Sequence, residues 1–323
     1  MSGTTPIHPP FDDELTPILD AYHSVSAPIT NELLPAIRAA AAKGLPGSAQ
    51  FDLTSGGAVV VEEIELPDRD GVTLLILRPA TGEGPWPVIY HTHGGGMIMG
   101  SKTDGLHVLV PLVVEIGCVV VSVEYRLAPE FPDPVPVEDC YSGLAWTGRE
   151  IAGWGGDPDR ILIFGGSAGG GLAAGSALMA RDNGFPQLTH QVLSCPMLDD
   201  RFETVSSMML DGEGVWDRND NLFGWTSLLG ERRGGPDVSY YAAPARATDL
   251  SGLPRTYIDV ASVETFRDEA IDYARRLSEH GVNVDFHMWG GAFHGSSGIA
   301  PHSTSSRAAM STLDQFLRRA LAG

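Results

Sequence analysis

The run Gly165-Gly166-Ser167-Ala168-Gly169-Gly170-Gly171 limits the fold of this chain more than any other part of it. An apolar stretch, residues 160–164, leads straight into the run, and an alanine- and leucine-rich stretch, residues 172–181, leads out of it. Strand, tight turn and helix in that order are a unit of a parallel sheet. A serine on such a turn is forced into a strained backbone conformation, and flanking glycines leave room for the chain that crosses it. The strain lifts the hydroxyl clear of the sheet, and the helix N-terminus behind it favours developing negative charge. The plainer alternative is a glycine-rich turn that closes a strand-helix-strand unit around, for instance, a phosphate. The strand-to-helix setting favours a nucleophile.

The rest of the chain repeats the alternation. Residues 58–66 and 72–77 read as an opening pair of strands joined by Asp68-Arg69-Asp70-Gly71, a turn sequence. Residues 87–92 and 118–123 are apolar strands separated by a helical stretch at 107–116, and 136–149 reads as a further helix. Residues 190–195, 255–260 and 283–289 supply later strands. Between them, 265–280 carries Ile271, Ala274 and Leu277 on one helical face, with Gly281 placed as a C-cap. The last helix, 306–321, has Leu313, Phe316, Leu317 and Ala320 at amphipathic spacing. The pattern predicts a mostly parallel sheet covered by helices on both faces. Two segments break it. Residues 1–50 hold helical patterns, notably 31–42, ahead of the first strand. Residues 201–242 contain methionines, Trp216, Phe223 and Trp225 without β periodicity. An insertion of that size reads as a lid over a site, with a surface excursion as the alternative.

Composition narrows the partners. The 323 residues include 41 acidic and 21 basic ones, a formal net charge of −20, which argues against nucleic acid or an anionic membrane surface. Neutral substrates are favoured over anionic ones. A hydrophobic content of 43% is that of a globular protein with a sizeable core. Residues 1–15 lack the basic and apolar regions of a signal peptide, and no apolar run is long enough to span a bilayer, so the expected location is cytoplasmic. Cys118, Cys140 and Cys195 sit in separate apolar stretches with no CxxC spacing, which predicts three buried free thiols.

Acyl transfer at a serine also needs a base, an acid that orients the base, and donors for an oxyanion. Tyr90-His91-Thr92-His93-Gly94-Gly95-Gly96-Met97 follows the strand at 87–92, and its three glycines let backbone N–H groups approach a ligand oxygen. With the N–H of Ala168, this loop is placed to hold a tetrahedral intermediate. His91 and His93 have the spacing of a metal pair on one strand face, yet no cysteine or carboxylate joins them locally, and no metal or cofactor is expected. His294, in Gly290-Gly291-Ala292-Phe293-His294-Gly295, lies in a loop after a strand and before the last helix, the place of a catalytic base. His190 and His287 fall within strands, and His302 lies nearer the helix. For the acid, Thr265 and Asp268 have the spacing of a capping box, which puts Glu264 on the loop leaving the strand and Asp268 and Glu269 in the first helical turn. Glu264 is the preferred acid, with Asp259 in reserve.

On these motifs, together with Tyr125-Arg126-Leu127-Ala128-Pro129-Glu130 and Phe266-Arg267-Asp268-Glu269, the chain resembles the hormone-sensitive-lipase-like family of α/β-hydrolase esterases. The stretch Ser167 to Gly175 followed by Pro196-Met197-Leu198-Asp199-Asp200-Arg201 is similar to one bacterial esterase of that family. The resemblance implies an α/β-hydrolase fold with an eight-stranded, mostly parallel sheet. It also implies a helical cap built from residues 1–50 and 201–242 on a core of 51–200 and 243–323. Ser167, Glu264 and His294 would form the catalytic triad. Gly95, Gly96 and the Ala168 amide would be the oxyanion donors, supported by His93 and Gly94. Homodimers are common among similar proteins. Two departures stand out: Gly166 precedes the nucleophile where the family usually has Asp, and Glu264 stands where the triad acid is usually Asp.

The resulting expectation is a serine carboxylesterase acting on short-chain or aryl esters, with Trp216, Phe223 and Trp225 lining the pocket or packing the cap. The alternatives are amide hydrolysis on the same triad, or a catalytically silent small-ligand receptor on the same fold. A receptor of that kind is expected to lack a triad member, and none is lacking here.

Overall fold

A computed structural model of the chain describes residues 6–41 and 51–322. The expected N-terminal part of the cap, 1–50, therefore lies partly outside the described residues, as does the end of the helical pattern at 31–42.

Eight strands form one sheet in the order β1-β2-β4-β3-β5-β6-β7-β8. The hairpin of β1 (Val59–Glu65) and β2 (Thr73–Pro79) is antiparallel, and β2 also runs antiparallel to β4 (Val119–Glu124). All other neighbours are parallel: β3 (Trp86–Thr92), β5 (Gly156–Gly166), β6 (Leu188–Ser194), β7 (Arg255–Val263) and β8 (Val284–Phe293). The continuous apolar runs of β3, β4 and β5 follow from this position, because strands in the middle of a parallel sheet are buried on both faces. Successive residues alternate between two cores. Val88 and Tyr90 enter the larger core while Ile89 enters the smaller one, and Val119, Val121 and Val123 lie opposite Val120. Each fully buried aliphatic side chain contributes about 1.5–3 kcal/mol.

Ten α-helices are described. α1 (Thr16–His23) and α2 (Leu34–Ala41) precede the sheet. α3 (Leu106–Glu115) covers one face, joined there by the last helix, while α4 (Val135–Glu150), α5 (Ala168–Asn183) and α8 (Arg267–Glu279) cover the other. α6 (Ser206–Met209) and α7 (Arg218–Leu229) lie in the insertion after β6, and α9 (Ser296–Ile299) and α10 (Thr304–Ala322) end the chain. Asp217 caps α7 by accepting from the N–H groups of Asn219 and Asp220 at 2.8 and 2.9 Å.

Two local expectations are corrected. The Thr265–Asp268 capping box does not form. α8 begins at Arg267, the Thr265 hydroxyl donates to the Trp216 carbonyl, and the Asp268 N–H donates to the Ser206 hydroxyl instead. The insertion thus supplies the cap that local sequence was expected to provide. Along the same helix the buried face is Ala270, Tyr273, Ala274 and Leu277, whereas Ile271 is exposed. Residue 271 lies to one side of the face that residues 270, 273, 274 and 277 share, and the sheet buries that face. Gly281 does follow the helix with φ +80°, in the left-handed region.

The N-terminal segment is tied into distant parts of the molecule. Leu15 and Leu19 pack with Ala261, Ala292, Phe293 and Ala300. The His23 ring contacts the Gly214 carbonyl at 2.6 Å, inside the insertion after β6. Arg38 on α2 donates to the carbonyls of Ile98 and Ala128 at 2.6 and 2.7 Å and pairs with Glu130 at 2.7 Å.

Candidate active site

β5 delivers Ser167 and α5 carries the chain away. Ser167 has φ +58° and ψ −126°, a conformation that costs a non-glycine residue about 1–3 kcal/mol. Sterics at the neighbours explain the glycines. A Cβ on Gly165 would stand 2.1 Å from the Gly169 carbonyl oxygen, and one on Gly169 would stand 2.1 Å from that of Thr92. Gly166 differs, since a Cβ there meets only the Ser194 carbonyl oxygen at 3.9 Å. Its place before the nucleophile is therefore not a steric requirement. The turn is pinned by Ser167 N–H donating to Ser194 O at 2.8 Å and Met197 N–H donating to Ser167 O at 3.0 Å.

His294 follows β8 directly and its Nε2 lies 2.9 Å from the Ser167 Oγ. Its Nδ1 lies 3.2 Å from Oε1 of Glu264, which leaves β7 one residue beyond Val263. With Nδ1 protonated and donating to Glu264, Nε2 is free to accept from the serine. The second Glu264 oxygen accepts from the Ala261 N–H at 2.8 Å, so the fully buried carboxylate is fixed at both ends. Phe266 meets the His294 ring edge-on, with centroids 5.1 Å apart. Burial opposes the charged imidazolium, yet the adjoining Cys195 and Glu264 together hold the His294 pKa well above the ordinary 6.5.

The other acids have different partners. Asp259 accepts from the Ser194 hydroxyl at 2.7 Å and the Trp289 indole at 3.2 Å, and burial raises its pKa. Glu269 accepts from the N–H groups of Leu198 and Asp199 and braces the loop after β6. Asp268 pairs with Arg267. Among the histidines, His190 and His287 stay on strands β6 and β8, and His302 is exposed.

The loop after β3 approaches the same serine. Gly95 and Gly96 have φ +111° and +62°, and a Cβ on Gly94 would lie 3.0 Å from the Gly166 carbonyl oxygen. Among the described residues, the N–H groups of Gly95, Gly96 and Ala168 have no protein acceptor. His93 stacks on Tyr125 with centroids 4.1 Å apart and its Nδ1 meets the Gly94 carbonyl at 2.8 Å, while the Tyr125 hydroxyl donates to the His93 carbonyl. The ring is a buried brace for the glycine loop. His91 instead pairs with the Ser122 hydroxyl at 2.8 Å and stacks on Phe164. Burial lowers the His91 pKa to about 3 and that of His93 to about 4.

These two rings set an acid limit on stability. Their folded pKa values are depressed, so the unfolded chain takes up protons that the folded one refuses once pH falls below 6.5. Stability present at neutral pH is therefore lost on acidification. Each ring accounts for about 2 kcal/mol at pH 5. Denaturant unfolding at pH 7.5 and pH 5 should show this contribution as a decline about 2 kcal/mol smaller in His91→Gln than in wild type. An unchanged pH dependence in that variant would assign the decline elsewhere.

The aromatic residues of the insertion divide. Trp216 presses on the glycine loop, its ring edge occupying the space where a Gly96 Cβ would be, 2.3 Å away. Phe223 is half-buried against the large core. Trp225 is fully buried within that core and has no surface to offer a ligand. Gly224 brings α7 against Gly96, since a Cβ there would lie 3.1 Å from the Gly96 carbonyl oxygen.

Cys195 corrects the expectation of three buried thiols in apolar surroundings. Cys118 and Cys140 are buried, but Cys195 is half-buried, has φ +40°, and stands beside His294 and Glu264. Its site context comes from the chain leaving β6 next to β7, and a sequence separation of about a hundred residues hides it. Arg38 was likewise missed, because nothing in a short N-terminal helix signals its reach to the loop at Ile98.

A strained serine at a strand-to-helix turn, with a histidine and an acid delivered by later strands of one mostly parallel sheet, defines an α/β-hydrolase. A family model described as alpha/beta hydrolase fold matches residues 89–297. The chain belongs to the hormone-sensitive-lipase-like family of α/β-hydrolases. It is similar to the carboxylesterase NlhH of Mycobacterium tuberculosis, 34% identical over 245 residues that cover 70% of this chain and 73% of the relative. An arylesterase of Saccharolobus solfataricus is 33% identical over 227 residues, 69% of this chain and 70% of the relative. The solved structure of a bacterial heroin esterase superposes with a TM-score of 0.86 at 38% identity, covering 96% of this chain and 98% of that one.

Proposed function

We propose that this carboxylic ester hydrolase cleaves short-chain and aryl esters through an acyl-enzyme on Ser167. The observation that carries the reading is the continuous line from Ser167 Oγ through His294 to Glu264, at 2.9 and 3.2 Å, at the strained turn. His294 Nε2 takes the Ser167 proton as Oγ attacks the ester carbonyl carbon. The negative oxygen that forms is met by the N–H groups of Gly95, Gly96 and Ala168, each worth roughly 3 kcal/mol in such a site. Glu264 holds the ring and stabilises its positive charge while the carboxylate itself stays unprotonated. The proton on Nε2 then goes to the departing alcohol oxygen, leaving the acyl group on Ser167. A water then gives a proton to Nε2 as its oxygen attacks the acyl carbon, and that proton passes to Ser167 Oγ as the carbon–Oγ bond breaks and the acid leaves. His93 and Gly94 position the glycine loop.

Substrate size follows from the cap, formed by α1, α2 and the segment 201–242. Trp216 and α7 sit directly on the glycine loop, which favours small acyl groups. The kinship with a carboxylesterase and an arylesterase supports the same range. Among the described residues no helix is long and apolar enough to cross a membrane, and three unpaired cysteines support a cytoplasmic setting. The edge position of β8, where Met288 is exposed, supports pairing of two copies. Initial rates across p-nitrophenyl esters from acetyl to palmitoyl test the substrate reading. Rates should peak at acetyl to butyryl and fall at least about tenfold by decanoyl, the penalty for a chain the pocket cannot bury. A maximum at long chains would overturn it.

A further inference from the structure

We propose that Cys195, His294 and Glu264 form a binding site for a thiophilic divalent cation, with Zn2+ as its type, and that occupancy switches hydrolysis off. The inhibitory part rests on the assignment of His294 as the base. One donor atom from each of the three side chains lies within 4.8 Å of those of the other two. Sulfur, imidazole nitrogen and carboxylate oxygen are the donor set that zinc selects, and a tetrahedral site needs donors roughly 3.5 Å apart. His294 Nδ1 and Glu264 Oε1 are already 3.2 Å apart, so the cluster closes on a cation by at most about 1 Å, within the reach of small rotamer changes.

Space and charge favour the same place. A cavity of about 60 Å3 opens beside the cluster, lined by Ser194, Cys195, Asp259, Glu264, Trp289 and Phe293 among others. It is large enough for a cation with a retained water. Two carboxylates, Asp259 and Glu264, face it in a chain whose net charge is −20. The hydroxyl of Ser194 and the indole of Trp289 already hold Asp259 in position, leaving it as an outer partner for the cation or its water. None of the other two cysteines has such neighbours: Cys118 and Cys140 lie in the apolar cores.

Silencing follows from the electron pairs of one ring. A neutral imidazole has a single nitrogen lone pair, and general-base catalysis uses it to take the Ser167 proton. A cation on Nε2 occupies that pair directly. A cation on Nδ1 displaces the bond to Glu264 and leaves the ring proton on Nε2, where it faces the serine as a donor. Either way the base is lost. Binding replaces the Cys195 thiol proton, which is released to solvent, and no oxidation or reduction is involved.

The test uses the whole enzyme in chelator-treated buffer, with p-nitrophenyl acetate as substrate and enzyme-free blanks at every metal concentration. Zn2+ should inhibit reversibly, with recovery on adding EDTA, whereas Mg2+ and Ca2+ at the same concentrations should not, because they lack affinity for sulfur. Each variant is compared with its own metal-free rate. Cys195→Ala should raise the half-inhibitory Zn2+ concentration about tenfold or more, and Cys195→Ser, which keeps the shape and loses the soft donor, should do the same. Independently of activity and of folding in the variants, Co2+ added to the wild-type protein should give a near-ultraviolet sulfur-to-metal absorption that Zn2+ abolishes. Equal Zn2+ sensitivity in the cysteine variants, or equal inhibition by Mg2+, overturns the site. A Co2+–sulfur band in an enzyme that Zn2+ does not inhibit would leave the metal site standing and overturn the assignment of His294 as base.

Discussion

Ser167→Ala should lower kcat/KM for p-nitrophenyl acetate by about 10⁴- to 10⁶-fold while the protein stays folded. The hydroxyl's side-chain contact is with His294, so its removal takes away the nucleophile and little of the structure. The strained backbone at φ +58° is held by the bonds to Ser194 and Met197, which alanine retains. Circular dichroism and thermal unfolding should therefore track wild type within a few degrees. A residual rate above that in water is expected from the N–H groups of Gly95, Gly96 and Ala168, which still meet the oxyanion of a water-derived intermediate. Turnover within tenfold of wild type would mean that another group attacks the ester, and the half-buried Cys195 would be the next to test.

The second large effect is expected at Glu264. Glu264→Gln should reduce kcat/KM by about 10³- to 10⁴-fold, since the amide neither stabilises the imidazolium nor fixes the tautomer. The pH profile gives the sharper reading. A base works deprotonated, so activity rises with pH through the His294 pKa, and the acid limb of wild type should lie above 6.5. Removing the Glu264 charge removes a cause of that elevation, so the limb should move to lower pH in the variant. Glu264→Asp should fall between the two, because one carboxylate cannot reach both the Ala261 N–H and the ring after losing a methylene. Asp259→Asn is the control. Its carboxylate serves Ser194 and Trp289, so kcat/KM should change by only a few-fold. A reversed ranking of the two acids would move the triad assignment to Asp259.

The parts of the molecule legible in the sequence are those whose cause is local. Gly165 and Gly169 stand where any Cβ would strike backbone within about five residues or on the adjacent strand, so the turn around Ser167 declares itself in the chain. The apolar runs of β3, β4 and β5 likewise reflect burial on both faces at once. Glu264 stands on the loop after β7, although the Thr265–Asp268 capping box is absent, its role taken by Ser206 from the insertion. Contacts made between distant segments were not legible. Cys195 reads as one more apolar-strand cysteine until β6 and β7 lie side by side. Arg38 reads as a surface charge until α2 lies against the glycine loop. Trp216 and Trp225 are nine residues apart and both are buried in the larger core, yet Trp216 also presses on Gly96 while Trp225 is fully enclosed. Only the packing of α7 separates them.

The anchoring of α1 has a consequence for the order of events during synthesis. The helix at residues 16–23 leaves the ribosome long before its partners Ala261, Ala292, Phe293 and Ala300, and Glu14 waits for the N–H of Thr304, 290 positions away. Contacts across such separations form late and slowly. His294 arrives in the same stretch that receives α1. A growing chain therefore carries its serine long before it has a base to activate it, and docking of the first helix and completion of the reactive centre become a single closing event.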